Sequence, residues 1–247
     1  MTLPIFLTAR WENLIMANYE VSPDILKKYL PAHTELDEWN GRHYVSLVGF
    51  MFLDTKVLGL KIPFHINFEE VNLRFYVRYK DERFSPAWKR GVVFIREIVP
   101  KRMIAFVANS LYGEKYLALP MKNLKTQTAD TLSVEYSWKF DNQWNSIKVN
   151  AQNLPQSLQE GSEEQFITEH YWGYTQQANN QTSEYQVEHP SWEVYPTLSH
   201  EITCNFAALY GKEFEQLTSQ TPTSVFLAKG SEISVRQGRK LNDLPKK

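Results

Sequence analysis

Apolar and polar positions alternate most strictly from Glu69 to Tyr79, Glu-Glu-Val-Asn-Leu-Arg-Phe-Tyr-Val-Arg-Tyr. Successive side chains of a strand point to opposite faces, so this pattern predicts a strand with two unlike stripes. Val71, Leu73, Phe75, Val77 and Tyr79 make one stripe, apolar and fit for a core; Glu70, Asn72, Arg74, Tyr76 and Arg78 make the other, polar throughout. A polar stripe faces either bulk water or a cavity inside a curved sheet. In the second case Asn72, Arg74 and Tyr76 offer a row of donors to a small anionic or carbonyl-bearing ligand. The inward orientation is the expectation adopted here.

The same period of two returns at Leu132, Val134, Tyr136, Trp138 and Phe140, and Asp141-Asn142-Gln143 turns that strand into Trp144–Gln152. Further strands are predicted at Trp11–Val21, Trp88–Val99, Tyr171–Gln177 and Thr182–His189. Trp192–Asn205 reads as a strand pair or one extended strand. Asn40-Gly41 suits a type I′ turn between Glu35–Trp39 and a long strand from His43 to about Leu53, with Gly49 marking a bulge or bend. Asp54 to Phe68 reads as a loop over a pocket mouth. Thr223–Ala228 and Glu232–Arg236 read as a hairpin about Lys229-Gly230. Helices are few and short. Ser22-Pro23 starts one that must stop before Pro31; Ser162-Glu163-Glu164-Gln165 has capping-box spacing; Phe206–Tyr210 is a turn or two closed by Gly211. Pro100 opens another, with Ile104, Val107, Ala108 and Leu111 at helical spacing and Gly113 as its cap. The expectation is one α+β domain over residues 1–247, built on a large, curved, mostly antiparallel sheet, with a loosely held basic tail from about residue 237.

Composition adds three bounds. Trp 7, Tyr 13 and Phe 14 favour strands, and a chain of 247 residues can bury a sizeable core without disulfides or metals. Lys+Arg 27 against Asp+Glu 28 argues against nucleic acid as a partner. The single Cys204 forms no internal disulfide, and Arg10 and Glu12 interrupt the apolar start, so a cytoplasmic protein that does not enter a membrane is expected. The histidines at 33, 43, 65, 170, 189 and 200 show no zinc spacing, and no phosphate loop or dinucleotide fingerprint occurs; no metal or cofactor is expected. His189, before Pro190 and near Trp192, and the aromatic Trp172 join Glu70, Asn72, Arg74 and Tyr76 as candidate ligand-binding residues.

Several motifs occur in a characteristic order: Pro23-Asp24-Ile25-Leu26, the Asn40-Gly41 turn, Asn72-Leu73-Arg74-Phe75-Tyr76-Val77-Arg78 and Ser110-Leu111-Tyr112-Gly113-Glu114-Lys115-Tyr116. Glu169-His170-Tyr171-Trp172-Gly173-Tyr174 and Tyr185-Gln186-Val187-Glu188-His189-Pro190-Ser191-Trp192 follow. Over nearly its whole length the chain resembles the YqjF-like family of uncharacterised bacterial proteins, which is similar in fold to acetoacetate decarboxylase. The resemblance implies a curved sheet with an internal cavity. It also makes Pro100-Lys101-Arg102 similar to the decarboxylase motif that carries a Schiff-base lysine, with Arg102 where the activating cation stands.

Two readings follow: a protein that binds a small molecule in the cavity, or a lyase acting on a small oxo acid through Lys101. The residues lining the cavity separate them. Lys101 lies three positions before Ile104, at the edge of the apolar face, where its stem can pack while the ammonium reaches water. Incubation with acetoacetate and borohydride is therefore expected to leave Lys101 unmodified. A reduced adduct on that lysine, absent from Lys101→Ala, would overturn this expectation.

Overall fold

The structure, a computed structural model, describes residues 3–81, 88–105, 115–177 and 180–241. Its strands in chain order are β1 (Ile5–Glu20), β2 (Glu35–Leu36), β3 (Tyr44–Val57), β4 (Phe68–Lys80), β5 (Trp88–Val99), β6 (Tyr116–Ala118), β7 (Met121–Gln127) and β8 (Thr131–Phe140). They continue as β9 (Gln143–Gln152), β10 (Gln156–Ser157), β11 (Trp172–Gln176), β12 (Thr182–Glu188), β13 (Glu193–Tyr195), β14 (Thr197–Thr203), β15 (Ser224–Arg236) and β16 (Arg239–Lys240).

Seven strands run side by side in the order β15-β1-β3-β4-β5-β11-β12, and the row closes where β12 returns to β15, at Val187↔Val235 and Glu188↔Ser234. The pairs are antiparallel except β5–β11, and β6, which adds to β5 in parallel. A second sheet, β14-β9-β8-β7, packs outside the ring. This is the α+β architecture and curved, mostly antiparallel sheet expected from the sequence.

Each ring strand has two buried uses. Val71, Leu73, Phe75 and Val77 face outward into a core shared with Leu132, Val134, Tyr136 and Trp138 of β8 and Ile147 and Val149 of β9. The inner core contains Leu14, Met16, Val48, Phe50, Phe68, Val92 and Phe166. Burial of apolar side chains on both faces supplies the main drive to fold.

Three irregularities decide which residues point inward. An extra residue in one strand of a pair turns every later side chain over. In β1, Leu7, Ala9 and Trp11 belong to the inner core, but beyond Asn13 (φ 53) it is Leu14 and Met16 that do. In β15, Phe226 and Ala228 give way to Ile233 and Val235 across Gly230 (φ 81). In β5 the register slips between Leu73↔Arg96 and Arg74↔Phe94, leaving Ile95 as the extra residue, so Phe94 and Glu97 share a face.

Several boundaries differ from the sequence expectation. Lys229-Gly230 makes no hairpin: β15 is one strand of 13 residues, and Gly230 lets the backbone of Trp11 come close, since a Cβ there would lie 2.1 Å from the Trp11 carbonyl oxygen. Gly49 leaves room for the Tyr136 ring, 2.8 Å from where its Cβ would stand, while the bulge lies opposite it in β1. β3 runs on to Val57 because Thr8 and Leu7 pair with Lys56 and Val57, which shortens the mouth loop. Asn40 (φ 51) and Gly41 (φ 76) do make the tight turn, but β2 pairs with β4 rather than with β3. Trp192–Asn205 divides, β13 joining β15 and β14 joining β9.

The short helices fall as read. Ser22 Oγ accepts from the Asp24 N–H at 3.3 Å ahead of Pro23–Lys27, and Ser162 Oγ accepts from the Gln165 N–H at 3.1 Å ahead of Glu163–Thr168. Phe206–Tyr210 ends at Gly211 (φ 125). After Pro100, residues 102–105 are helical; Val107, Ala108, Leu111 and Gly113 lie outside the described residues. In the C-terminal tail, Arg239 and Lys240 pair with β12, Arg239 bonds Glu184, and Leu241 is buried; residues 242–247 lie outside the described ones. Among the described residues no helix is long and apolar enough to cross a membrane.

Gly230→Ala is expected to lower stability by roughly 2–4 kcal/mol, combining a strained left-handed residue with a backbone collision. Gly41→Ala, with a similar φ but nothing within 4 Å of its Cβ, should lose only about 1 kcal/mol. Urea midpoints of the two variants compare them directly; equal losses would refute the collision at the bulge.

Candidate functional site

The ring encloses a cavity of about 340 Å³. Strand register orders its walls from the deep end to the mouth. Arg74 is deepest, opposite Ser46 and Phe94; next comes Asn72, opposite Val48 and Glu97; then Glu70 opposite Phe50, and Phe68 opposite Phe52. Alternate residues on one strand face are about 7 Å apart, so these are successive levels. Trp11 stands at the level of Phe52, and Leu7 and Val57 lie further out, near the exposed Ile62. The helix Glu163–Thr168 closes the deep end: Arg74 Nη2 donates to the Ile167 carbonyl at 3.2 Å, and Phe166 and His170 pack on the Tyr76 ring.

Among the described residues, no carboxylate pairs with the Arg74 guanidinium. Besides Ile167 O, its described contacts are Met16 Sδ at 4.0 Å and the Tyr76 ring at 5.7 Å, and its Nε is buried without a hydrogen-bond partner. Over the next two levels outward lies an oxygen-rich cluster. Glu70 accepts from Asn72 Nδ2 at 3.0 Å and from the Tyr116 hydroxyl at 3.2 Å, and Glu97 pairs with Tyr116 in the parallel register of β5 and β6. Glu70 and Glu97 are 2% and 3% exposed. Burial, then the charges of Glu70 and Glu97, push the Tyr116 phenol well above its ordinary range. Because Asn72 Nδ2 points at a carboxylate, its Oδ1 is fixed as an acceptor, and that atom is buried with no partner.

His170 supplies a second acceptor. Its Nε2 lies 3.1 Å from Asp37 Oδ2, which also accepts from Arg90 Nε at 2.7 Å. Burial pulls the His170 pKa down to about 4, outweighing Asp37, so near neutrality the ring carries one proton. That proton belongs on Nε2, toward Asp37, and leaves Nδ1 as an acceptor, buried and unpartnered. Burial alone would raise the Asp37 carboxyl; hydrogen bonds from His170 and Arg90 hold it below the usual range instead. Nearer the mouth, His189 stacks on Trp192 at 4.1 Å, and burial lowers its pKa. Trp192 in turn meets Trp11 edge-on at 6.2 Å.

Of the residues singled out in the sequence, Glu70, Asn72, Arg74, Trp172 and His189 line this cavity together. Tyr76 stands behind Arg74, 1% exposed, with its hydroxyl 2.6 Å from Ser46 Oγ. Arg78 leaves the ring to meet Glu35 and the face of Trp88. Lys101 is half-buried and outside the lining, although Met103 and Ile104 just after it take part; among the described residues no lysine lines the cavity. Lys89, 2% exposed, is held elsewhere by Asp81 at 2.9 Å and Glu184 at 3.1 Å. The sequence reading missed Glu97, Tyr116, His170 and Asp37. Among the described residues no cluster of three or more His, Cys, Asp and Glu could hold a metal ion.

A family model described as an uncharacterized conserved protein, DUF2071, matches residues 8–232. The uncharacterized protein YqjF of Bacillus subtilis is 27% identical over 186 residues, covering 74% of this chain and 72% of that protein. Among solved structures, the acetoacetate decarboxylase of Legionella pneumophila superposes with a TM-score of 0.62 at 15% identity, over 98% of this chain and 89% of that one. An acetoacetate decarboxylase-like enzyme from Sphingomonas wittichii gives 0.65 at 10% identity, over 96% and 93%. The enduracididine biosynthesis enzyme MppR, complexed with pyruvate, gives 0.66 at 10% identity, over 99% and 93%. At these identities the structural likeness shows the fold.

The buried histidine makes stability pH-dependent. In the unfolded chain His170 takes up a proton near pH 6.5, but in the folded protein only near 4. Between those values the unfolded state holds more protons, so stability is expected to fall as pH drops, by at most about tenfold in the folding constant per pH unit. Denaturant midpoints from about pH 7 to 4 measure it. His170→Gln should reduce the slope, and an unchanged slope would refute the assignment.

Proposed function

The chain belongs to the DUF2071 family of uncharacterized conserved proteins, and we propose that it binds a small anionic or carbonyl-containing molecule inside the ring, anionic end first. The observation that carries this reading is Arg74, a deep cation with no carboxylate against it among the described residues and with an unpartnered Nε. Arginine keeps its charge at any pH the fold survives, and a poorly solvated charge is costly until an anion meets it. A carboxylate fits the guanidinium fork and makes the strong, charge-assisted kind of hydrogen bond.

Three further features support it. Asn72 Oδ1 and His170 Nδ1 are acceptors awaiting donors, and buried polar atoms of that kind are uncommon unless something pairs with them. The outer walls, Trp11, Phe50, Phe52 and Phe68, are aromatic and suit an apolar ligand body. A volume of 340 Å³ lies near the small end of the usual range for ligand pockets, about 300–1,000 Å³. The fold neighbour complexed with pyruvate, itself a small carbonyl acid, is consistent with that class of ligand. The lyase reading would need a lysine in the lining, and Lys101 is not part of it.

Titration calorimetry with phenylacetate and its neutral amide tests the reading. Arg74→Ala is expected to weaken phenylacetate by about 1.5–3 kcal/mol, the worth of a charged hydrogen bond, and to leave the amide nearly unaffected. Equal affinity of wild type and variant for the carboxylate, or no binding of either compound to the wild type, would overturn it.

A further inference from the structure

We propose that the carboxylate held by Arg74 belongs to a ligand with a hydroxyl or amino group on the adjacent carbon, and that Asn72 and His170 select for that donor. The inference narrows the binding reading above and rests on it.

Two buried acceptors are the first argument. Asn72 is 1% exposed, and its Nδ2 donates to Glu70 Oε1 at 3.0 Å, so its Oδ1 is left to accept. The His170 side chain is likewise 1% exposed, and its Nε2 lies 3.1 Å from Asp37 Oδ2. That carboxylate also accepts from Arg90 Nε and has no proton to give, so the ring proton sits on Nε2 and Nδ1 is the acceptor. The charges of Arg90 and Arg74 act with burial to keep a second proton off the ring. Neither Asn72 Oδ1 nor His170 Nδ1 has a hydrogen-bond partner, although both residues line the cavity. Buried acceptors left without a donor are costly.

Position is the second argument. Asn72 is the next inward residue after Arg74 on β4, one side-chain interval toward the mouth. His170 packs on the same aromatic ring as the guanidinium: its centroid is 4.7 Å from that of Tyr76, and Arg74 Cζ is 5.7 Å from it. Both acceptors therefore neighbour the place of a carboxylate on Arg74.

A carboxylate alone brings only lone pairs to these two atoms, and a carbonyl on the next carbon adds more. A hydroxyl in that place supplies one donor, and an ammonium supplies three. A 2-hydroxy or 2-amino acid thus carries, one carbon apart, the anion for Arg74 and the donor for Asn72 or His170. Such a donor also discriminates well, because an analogue lacking it leaves the buried acceptor unpaired.

Calorimetry with one branched-alkyl body and varied head groups tests this. The series is 4-methylpentanoate, 4-methyl-2-oxopentanoate, and both enantiomers of 2-hydroxy-4-methylpentanoate and of leucine. In wild type the best hydroxy or amino acid is expected to bind about tenfold tighter than 4-methylpentanoate, the worth of one added hydrogen bond, and the oxo acid no tighter. Whether the hydroxy or the amino acid leads tells which donor the cavity takes. Asn72→Leu or His170→Phe is expected to bring the ratio close to one. Because the ratio is taken within each variant, a general loosening that weakens all ligands alike leaves it unchanged. A wild-type ratio of one, or tightest binding of the oxo acid, overturns the donor site while leaving the anion-binding reading intact. Binding of phenylacetate but of none of the series does the same, and binding of neither overturns both. A tenfold ratio kept in both variants overturns the assignment to Asn72 and His170. The wild-type ratio decides whether the preference exists even if a variant does not fold.

Discussion

Closing seven strands into a ring leaves each of them an inward and an outward face, and neither is given over to bulk water. The outward faces are covered in large part by the β7–β9 and β14 sheet, which meets Val71, Leu73, Phe75 and Val77 with Tyr136 and Trp138. The inward faces must then be filled by side chains or kept open around a cavity. On β4 the inward row is Glu70, Asn72, Arg74 and Tyr76. An apolar row there would have given one more layer of core. Four polar residues in an enclosed place demand partners, and the ring answers part of that demand internally, through Ser46 for Tyr76 and Ile167 for Arg74. What it leaves unanswered, Arg74 Nε and Asn72 Oδ1, belongs to the two deepest levels of the cavity.

The bulges turn this enclosure into a particular site. Without the extra residue at Ile95, strict alternation from Phe94 would send Glu97 outward, toward the region where Arg96 now donates to the Leu209 carbonyl. With it, Glu97 comes to the level of Asn72 and meets Tyr116 from β6. The Asn13 and Gly230 irregularities, paired across β1 and β15, turn Trp11 and Ile233 toward the same interior. Bulges gather at barrel rims and beside functional sites because they re-aim side chains without breaking the sheet.

The parts legible in the sequence are those fixed by local periodicity. The two stripes of Glu69–Tyr79, the β8–β9 pair, the Asn40-Gly41 turn and the caps at Ser22 and Ser162 each follow from rules acting over a few residues. So did the inward placement of Asn72 and Arg74. Glu97 was hidden because no glycine or proline marks its bulge, and a period of two assigns it to the wrong face. Tyr116 sits on a three-residue strand paired in parallel with β5, a partnership that leaves no local pattern. His170 and Asp37 are 133 residues apart and meet only because the ring brings the segment before β11 against the segment after β2. Gly230 carried the opposite lesson: a glycine can mark a turn or a close approach, and only the position of Trp11 decides between them.

The choice of cation also shapes what chemistry the cavity can support. A lysine placed among apolar walls can shed its proton and become a nucleophile, because desolvation penalises the ammonium. An arginine in the same surroundings keeps its proton and can only hold and orient an anion. With Arg74 as the deep cation and no lysine in the described lining, covalent capture of a ketone has no obvious agent in this ring. The titratable groups left in the described lining include Glu70, Glu97, Tyr116, His170, Tyr185 and His189. His170 is a poor base, since burial already holds it deprotonated down to about pH 4. Glu97, level with Asn72, is the carboxyl nearest in the strand register to a ligand held on Arg74.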